Sequence, residues 1–194
     1  MSTAVFGGAF DPPHNGHVEL VRRALDHFGF DRLLVVTADR PPHKTVTTPG
    51  RIRARLAELA FAEIPRVEMS KVELGRRGSR YTIDTLKRLG KRHDDLTLLV
   101  GADQFAGFMS WRDPNGILEI ARLAVANRPG RDEAEFLPIL TALEHPERVA
   151  LFSISPHPIS SREIRARVEQ GLPIYDLVPE PVAAEIERLG LYRG

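Results

Sequence analysis

VFGGAFDPPHNGHVEL, residues 5–20, runs from an apolar segment through two glycines, two prolines and two histidines into a helical pattern. A link between a strand and a helix needs a turn, but not this combination of residues. The stretch therefore reads as strand, glycine turn, stiffened loop and helix start, with a candidate site in the turn. The rest of the chain repeats that alternation. TAVF, RLLVV, RVEM, LTLLV, RLAVA and RVALF read as strands, and GHVELVRRALDHF, RIRARLAELAFAEI and YTIDTLKRLGKRH carry the three-to-four apolar spacing of helices. Near-continuous apolar strands separated by helices predict a parallel sheet covered on both faces, a doubly wound, Rossmann-like α/β fold. No internal repeat, low-complexity tract or linker divides the chain, so residues 1–194 are expected to form a single domain.

In such sheets ligands bind beyond the carboxyl ends of the strands, where glycine turns admit the backbone and helix N-termini favour anions. Gly7 and Gly8 follow the first strand, where they can adopt backbone angles closed to other residues and bring N–H groups close to a ligand. Pro12 and Pro13 stiffen the chain, and Asn15 is the expected helix cap. His14 then stands at the helix entry and His17 in its first turn. Two imidazoles there can donate to phosphate oxygens and gain charge as a polyphosphate arrives. A metal pair is the rival reading, although helical zinc pairs more often use i,i+4 than the i,i+3 found here. An ordinary helix start with one capping and one exposed histidine is the plain alternative. In SPHPISSREIRARVEQG, Ser160 and Glu163 form a capping-box pattern and Gly171 a stop. Ser160, Ser161 and Arg165 can present hydroxyls, N–H groups and a guanidinium to phosphate, although the same pattern also describes a well-capped surface helix. The segment 40–55 holds five Lys and Arg residues, His43 and no acid, and reads as a solvated loop or as a mobile arm that meets phosphate.

Composition narrows the partners. Lys and Arg number 27 against 26 Asp and Glu, a net charge of +1, which offers no polycationic grip on nucleic acid and favours small molecules. Cysteine is absent, which removes disulfides, thiolate nucleophiles and Cys-based zinc sites and fits a reducing cytoplasm. No charged n-region precedes Arg22 and no apolar run approaches the roughly 18 residues of a bilayer span, so a cytoplasmic protein without membrane contact is expected. Homo-oligomerisation is left open.

The histidine and serine stretches together carry a resemblance. GGAFDPPHNGH at 7–17 and ISSREIR at 159–165 are similar to the HxGH nucleotidyltransferase superfamily. PPHK at 41–44, SRYTIDTL at 79–86, VGADQF at 100–105, SW at 110–111, NRPG at 127–130 and DLVPEPVAAEIERLGLY at 176–192 resemble the bacterial nicotinate-nucleotide adenylyltransferases. The resemblance runs from Val5 to Tyr192. It implies a nucleotidyltransferase-type fold in which segment 155–194, with its phosphate-binding helix, is part of the same domain. It also implies transfer of the adenylyl group from ATP to nicotinate mononucleotide, giving deamido-NAD and pyrophosphate by direct in-line attack, with Mg²⁺ carried on ATP and pyrophosphate and no metal ligand in the protein. In such a reaction the acceptor phosphate is already a nucleophile, and the protein has only to align two anions and stabilise charge.

Carried onto this chain, the resemblance gives His14, His17, Lys44 and Arg165 catalytic roles at the phosphates. Gly7, Gly8, Ala9, Phe10, Gly101, Asp103, Ile159, Ser160 and Ser161 are implied to bind ATP, with Asp103 accepting from ribose hydroxyls. Asp11, Tyr81, Thr82, Trp111, Arg112 and Arg128 are implied to hold the acceptor, the indole stacking on the pyridine ring. From the residues alone, Trp111 is equally a core aromatic and Arg128 a surface arginine. Three positions depart from the family pattern: Ala9 and Arg162 each replace a usual Thr, and Arg112 makes the acceptor pocket more cationic than in some relatives.

Overall fold

The computed structural model describes residues 1–41, 46–75, 81–127, 132–155 and 158–193. Among these residues lie the strands β1 (Ser2–Gly8), β2 (Arg32–Thr37), β3 (Val67–Ser70), β4 (Asp95–Gly101), β5 (Ala121–Asn127) and β6 (Val149–Ser153). They form one sheet in the order β3-β2-β1-β4-β5-β6, every neighbouring pair parallel. This is the doubly wound order, and all six strands fall on the apolar runs read from the sequence. Along each central strand the side chains alternate between two cores. Ala4, Phe6, Leu33, Val35 and Leu99 face one layer, made by α1 (Asn15–Phe28), α2 (Gly50–Phe61), α7 (Ser161–Glu169) and α8 (Glu180–Leu189). Val5, Leu34, Val36, Leu98 and Val100 face the other, which holds α3 (Thr82–Leu89), α5 (Pro114–Ile120) and the buried Phe105, Phe108 and Phe136. Burial on both faces is why these strands read as unbroken apolar runs rather than as alternations. Among the described residues no helix is long and apolar enough to cross a membrane.

The sheet opens where its winding reverses. Pairing of β1 with β4 stops at Phe6↔Leu99, whereas β1 stays paired with β2 to Gly8↔Thr37 and β4 with β5 to Gly101↔Ala126. Gly7 and Gly8 therefore form one lip of a crevice and Val100 and Gly101 the other. Gly7 and Gly8 do not use the freedom of angle open to glycine, since neither has positive φ; the left-handed residue of the turn is Phe10, with φ 49°. The glycines matter for room instead. A Cβ at Gly7 or Gly101 would project into open space in the crevice, and one at Gly8 would lie 2.8 Å from the Phe10 ring.

Two further local expectations are corrected. The cap of α1 is His14 rather than Asn15, which is the first helical residue and ties the helix to the distant chain: its N–H donates to Leu177 O at 2.9 Å and its side-chain amide to Asp176 O at 3.1 Å. The basic segment 40–55 is not one loop, because α2 begins at Gly50, and its Arg53 is fully buried. Pro42, His43, Lys44 and Thr45 lie outside the described residues.

Candidate functional site

Two cavities meet at the β1–β4 crevice. The larger, about 730 Å³, lies over the N-termini of α1 and α7. His14 is buried and His17 half-buried there, their rings stacked with centroids 3.7 Å apart. Phe10 meets His17 edge-on at 5.2 Å and walls it. The His14 backbone N–H donates to His17 Nδ1 at 3.2 Å, an imidazole standing where Glu or Gln stands in a capping box. With Nδ1 accepting, the proton of the neutral ring sits on Nε2, and the ring is a hydrogen-bond donor through that atom.

The floor and far wall of this cavity come from the crevice glycines and from the start of α7. Gly7, Gly8, Ala9, Phe10 and Asp11 line it from β1 and the turn that follows, and Gly101 and Asp103 from β4 and the short α4 (Ala102–Phe105). Ile159, Ser160, Ser161, Arg162 and Arg165 line it from the opposite side. Ser160 caps α7 as the sequence predicts, its hydroxyl accepting from Glu163 N at 3.2 Å. The remaining polar groups of α7 do more than face a ligand: Ser161 Oγ donates to Pro12 O at 2.8 Å and Arg165 to Asp11 O at 2.6 Å.

The turn 9–12 is gripped from two other sides. Arg53, wholly inside, spreads its guanidinium over four carbonyls: Nε to Thr48 at 2.9 Å, one terminal nitrogen to Ala9 at 2.6 Å and Ala38 at 2.7 Å, the other to Asp39 at 2.8 Å. Burial pulls this guanidinium below the usual arginine range, and the charges of Asp11 and Asp39 oppose the shift. From the far end of the chain, the Tyr192 hydroxyl donates to Asp11 Oδ1 at 2.8 Å. Burial first, and then the neighbouring Asp11 carboxylate, push the Tyr192 phenol well above its ordinary range, so it remains a donor.

The smaller cavity, about 320 Å³, lies on the other side of the crevice, between the sheet and α3 and α5. Its polar mouth holds Tyr81, Thr82, Trp111 and Arg112. Trp111 is half-buried against Phe108, ring centroids 5.4 Å apart, and its backbone N–H closes the turn onto Phe108 O. The Arg112 guanidinium lies 4.7 Å over the Tyr81 ring, a cation–π contact at the exposed rim. Deeper in, Thr85 Oγ1 donates to Glu73 Oε1 at 2.6 Å. Burial pushes the Glu73 carboxyl up, the Thr85 hydrogen bond opposes it, and Asp39 adds to the rise.

The residues singled out from the sequence thus converge on these two spaces. His14, His17, Arg165 and the glycine, serine and Asp103 positions surround the larger cavity, and Tyr81, Thr82, Trp111 and Arg112 the smaller. Asp11, placed with the acceptor by resemblance, lines the larger cavity and not the smaller, whereas Tyr81, Thr82, Trp111 and Arg112 line the smaller. Lys44 and Arg128 lie outside the described residues. Sequence reading missed Arg53, Tyr192, Glu73 and Thr85. Nothing local marks any of the four, because their hydrogen bonds join residues that only the tertiary fold brings together.

Residues 5–167 match the model of the cytidylyltransferase-like family. A protein of Thermus thermophilus, named "Probable nicotinate-nucleotide adenylyltransferase", is 38% identical over 196 residues, covering 100% of both chains. One of the same name from Desulfitobacterium hafniense is 37% identical, covering 97% of this chain and 94% of its own. In fold, the chain is similar to the nicotinic acid mononucleotide adenylyltransferase of Plasmodium falciparum, solved in complex with NaAD. The TM-score is 0.76 at 18% identity, with 98% of this chain and 97% of that one covered.

Proposed function

The chain belongs to the cytidylyltransferase-like family and, within it, to the nicotinate-nucleotide adenylyltransferases, and from that membership we propose that it transfers the adenylyl group of ATP to nicotinate mononucleotide. One observation carries the reading to the residues: the two cavities, different in chemistry, share Gly7, Gly8, Ala9, Asp103 and Gln104 at the crevice, so that ligands in each would meet there.

In this reading the larger cavity takes ATP. His17 donates through Nε2 to a phosphate oxygen, and His14, stacked on it, adds a second imidazole to the same anion. Ser160, Ser161 and the N-terminus of α7 receive the outer phosphates, with Arg165 beside them. Lys44 and Arg128, by resemblance, would add cations at the ATP phosphates and the acceptor phosphate. Asp103 accepts from the adenosine ribose, and Gly7 and Gly101 leave room for the nucleotide at the lips. The smaller cavity takes the acceptor: Trp111 stacks on the pyridine ring, while Thr82 and the first N–H groups of α3 meet its carboxylate. Asp11, on the ATP side and held by Tyr192, serves the turn rather than the acceptor.

An oxygen of the mononucleotide phosphate attacks the α-phosphorus, that P–O bond forms, and the bond to the β-phosphate bridging oxygen breaks as pyrophosphate leaves. No proton has to move, and no covalent intermediate on the protein is required. The protein supplies alignment of two mutually repelling anions and preorganised donors for the charge that builds on the leaving group. The donor set of the larger cavity, imidazoles, hydroxyls and a guanidinium, suits phosphate oxygens, so Mg²⁺ would enter on the nucleotide, keeping phosphate and water as ligands. When bound, the ion neutralises charge on the departing pyrophosphate. The reading further takes the protein to act in the cytoplasm as a single domain.

Pyrophosphate release from ATP and Mg²⁺, measured in parallel with nicotinate mononucleotide, nicotinamide mononucleotide and pantetheine phosphate, tests the function. Preference for the nicotinate acceptor is expected. Equal rates with the amide would break the assignment of Thr82 and α3 to a carboxylate, and turnover with pantetheine phosphate alone would overturn the function.

A further inference from the structure

The larger cavity contains an acid where an anion is to bind. Asp11 is only 4% exposed, lines the cavity together with His14, His17 and Arg165, and follows the left-handed Phe10 in the turn that shapes it. A carboxylate free to turn towards bound phosphates would repel them, and in a partly desolvated site that repulsion is strong. Yet the Asp11 carboxylate is restrained. Its Oδ1 accepts from Tyr192, 181 residues away in sequence, and the Arg53 charge lies close enough to act on it.

Tyr192 itself is built into place. It has φ 62°, a left-handed conformation costly for a non-glycine residue and kept only where the surroundings enforce it. Leu191 and Tyr192 pack on the core after α8, with Leu191 N bonded to Ile186 O at 3.0 Å. The same C-terminal stretch grips α1 through Asp176 and Leu177. Because its phenol is held protonated, the hydroxyl stays a donor to the acid.

We propose that Tyr192 is a positioning residue of the phosphate site: its hydroxyl fixes the Asp11 carboxylate away from the ligand phosphates, so that the cavity receives a polyphosphate despite the acid in its wall. This rests on the reading of the larger cavity as the ATP site. It differs from a packing role, because the ring of phenylalanine would fill the same space while the hydroxyl's bonds, to Asp11 and to the Thr48 side chain, would be lost, and of these the bond to Asp11 restrains a charge.

The test compares Tyr192→Phe with wild type in equilibrium binding of ATP, ADP, AMP and adenosine, with melting temperatures recorded alongside. ATP is expected to bind about tenfold more weakly, on the scale of one lost hydrogen bond to a charged group. The deficit should shrink through ADP and AMP and vanish for adenosine. In an Asp11→Asn background the same substitution at Tyr192 should change ATP binding by less than about twofold, since no charge is left to release. A deficit equal for all four ligands, an equal deficit in both Asp11 backgrounds, or no deficit for ATP would each overturn the proposal. If Asp11→Asn does not fold, the phosphate series decides alone. Wild-type turnover of ATP with nicotinate mononucleotide, run in parallel, reads the function separately, so a normal wild type beside an unaltered Tyr192→Phe variant condemns only the inference.

Discussion

Replacing Arg53 with Met keeps an unbranched side chain of related length in the core but removes every donor from the cluster beneath the turn. Thr48, Ala9, Ala38 and Asp39 would lose the partners they hold at 2.6 to 2.9 Å. A buried acceptor left unsatisfied costs about 1–3 kcal/mol. All four residues line cavities, Ala9 and Ala38 the smaller one and Thr48 and Asp39 an open pocket on the other side of the cluster, so each loss falls near the lower end of that range. Asp11 and Asp39 also lose a cation. We expect a total of about 3–5 kcal/mol, the scale seen when one partner of a buried charged cluster is removed. For a chain of this length that lowers the melting temperature by roughly 10 °C. Arg53→Lys, which keeps the charge but not the planar fork, should lose about half as much. Urea unfolding is the assay, with the slope m checked against wild type. An Arg53→Met cost below about 1 kcal/mol at unchanged m would refute the claim that this guanidinium holds the turn.

His17→Ala should reduce adenylylation about 10²–10³-fold while circular dichroism shows the fold kept and the melting temperature falls by only a few degrees for the lost bond to His14 N–H; near-normal turnover would remove the imidazole from the mechanism. Trp111→Ala is expected to raise the KM for nicotinate mononucleotide about tenfold and leave that for ATP within about twofold, the loss of one stacked aromatic contact; a shift in both would mean that the indole supports the whole crevice. Glu73 has a folded-state pKa above its ordinary value, so its native carboxyl holds the proton more tightly than the unfolded one. Below the ordinary carboxylate range the two states are equally protonated, and stability is lost as pH rises through the folded pKa. Glu73→Gln, which can still accept from Thr85, should therefore gain in melting temperature relative to wild type as pH rises above the ordinary carboxylate range, and a difference flat in pH would show that burial of this charge costs nothing.

What the sequence made legible follows from how far each signal travels along the chain. All six strands were readable because burial on both faces leaves an unbroken apolar run. The long helices α1 and α2 showed their periodicity, whereas α5 and α6 (Leu137–Ala142), of seven and six residues, are too short to display one. The histidines and Ser160 were found because a helix start writes its chemistry into a few adjacent positions. Arg53 escapes sequence reading for the opposite reason: a count of charges in segment 40–55 does not say that one of them turns inward. Gly7 and Gly8 are legible as places of close approach but not of unusual backbone angles, since the turn takes its left-handed step at Phe10 and uses the glycines for space. The Tyr192–Asp11 and Thr85–Glu73 contacts depend on tertiary folding and leave no local pattern.

The crevice also separates two kinds of heritable change. Trp111, Thr82, Thr85 and Glu73 sit with α3 and α5 on one face of the sheet, while the histidines and α7 sit on the other, and among the described residues the two cavities share only those of the crevice. A substitution among residues 81–86 or 110–112 can reshape one pocket without entering the wall of the other, and the residues of α7 line only the cavity of the stacked imidazoles among the described residues. Such a scaffold can exchange one ligand for another while its remaining chemistry is inherited whole, which makes residues 81–86 and 110–112 the place to redesign selectivity and residues 7–17 the place to leave alone.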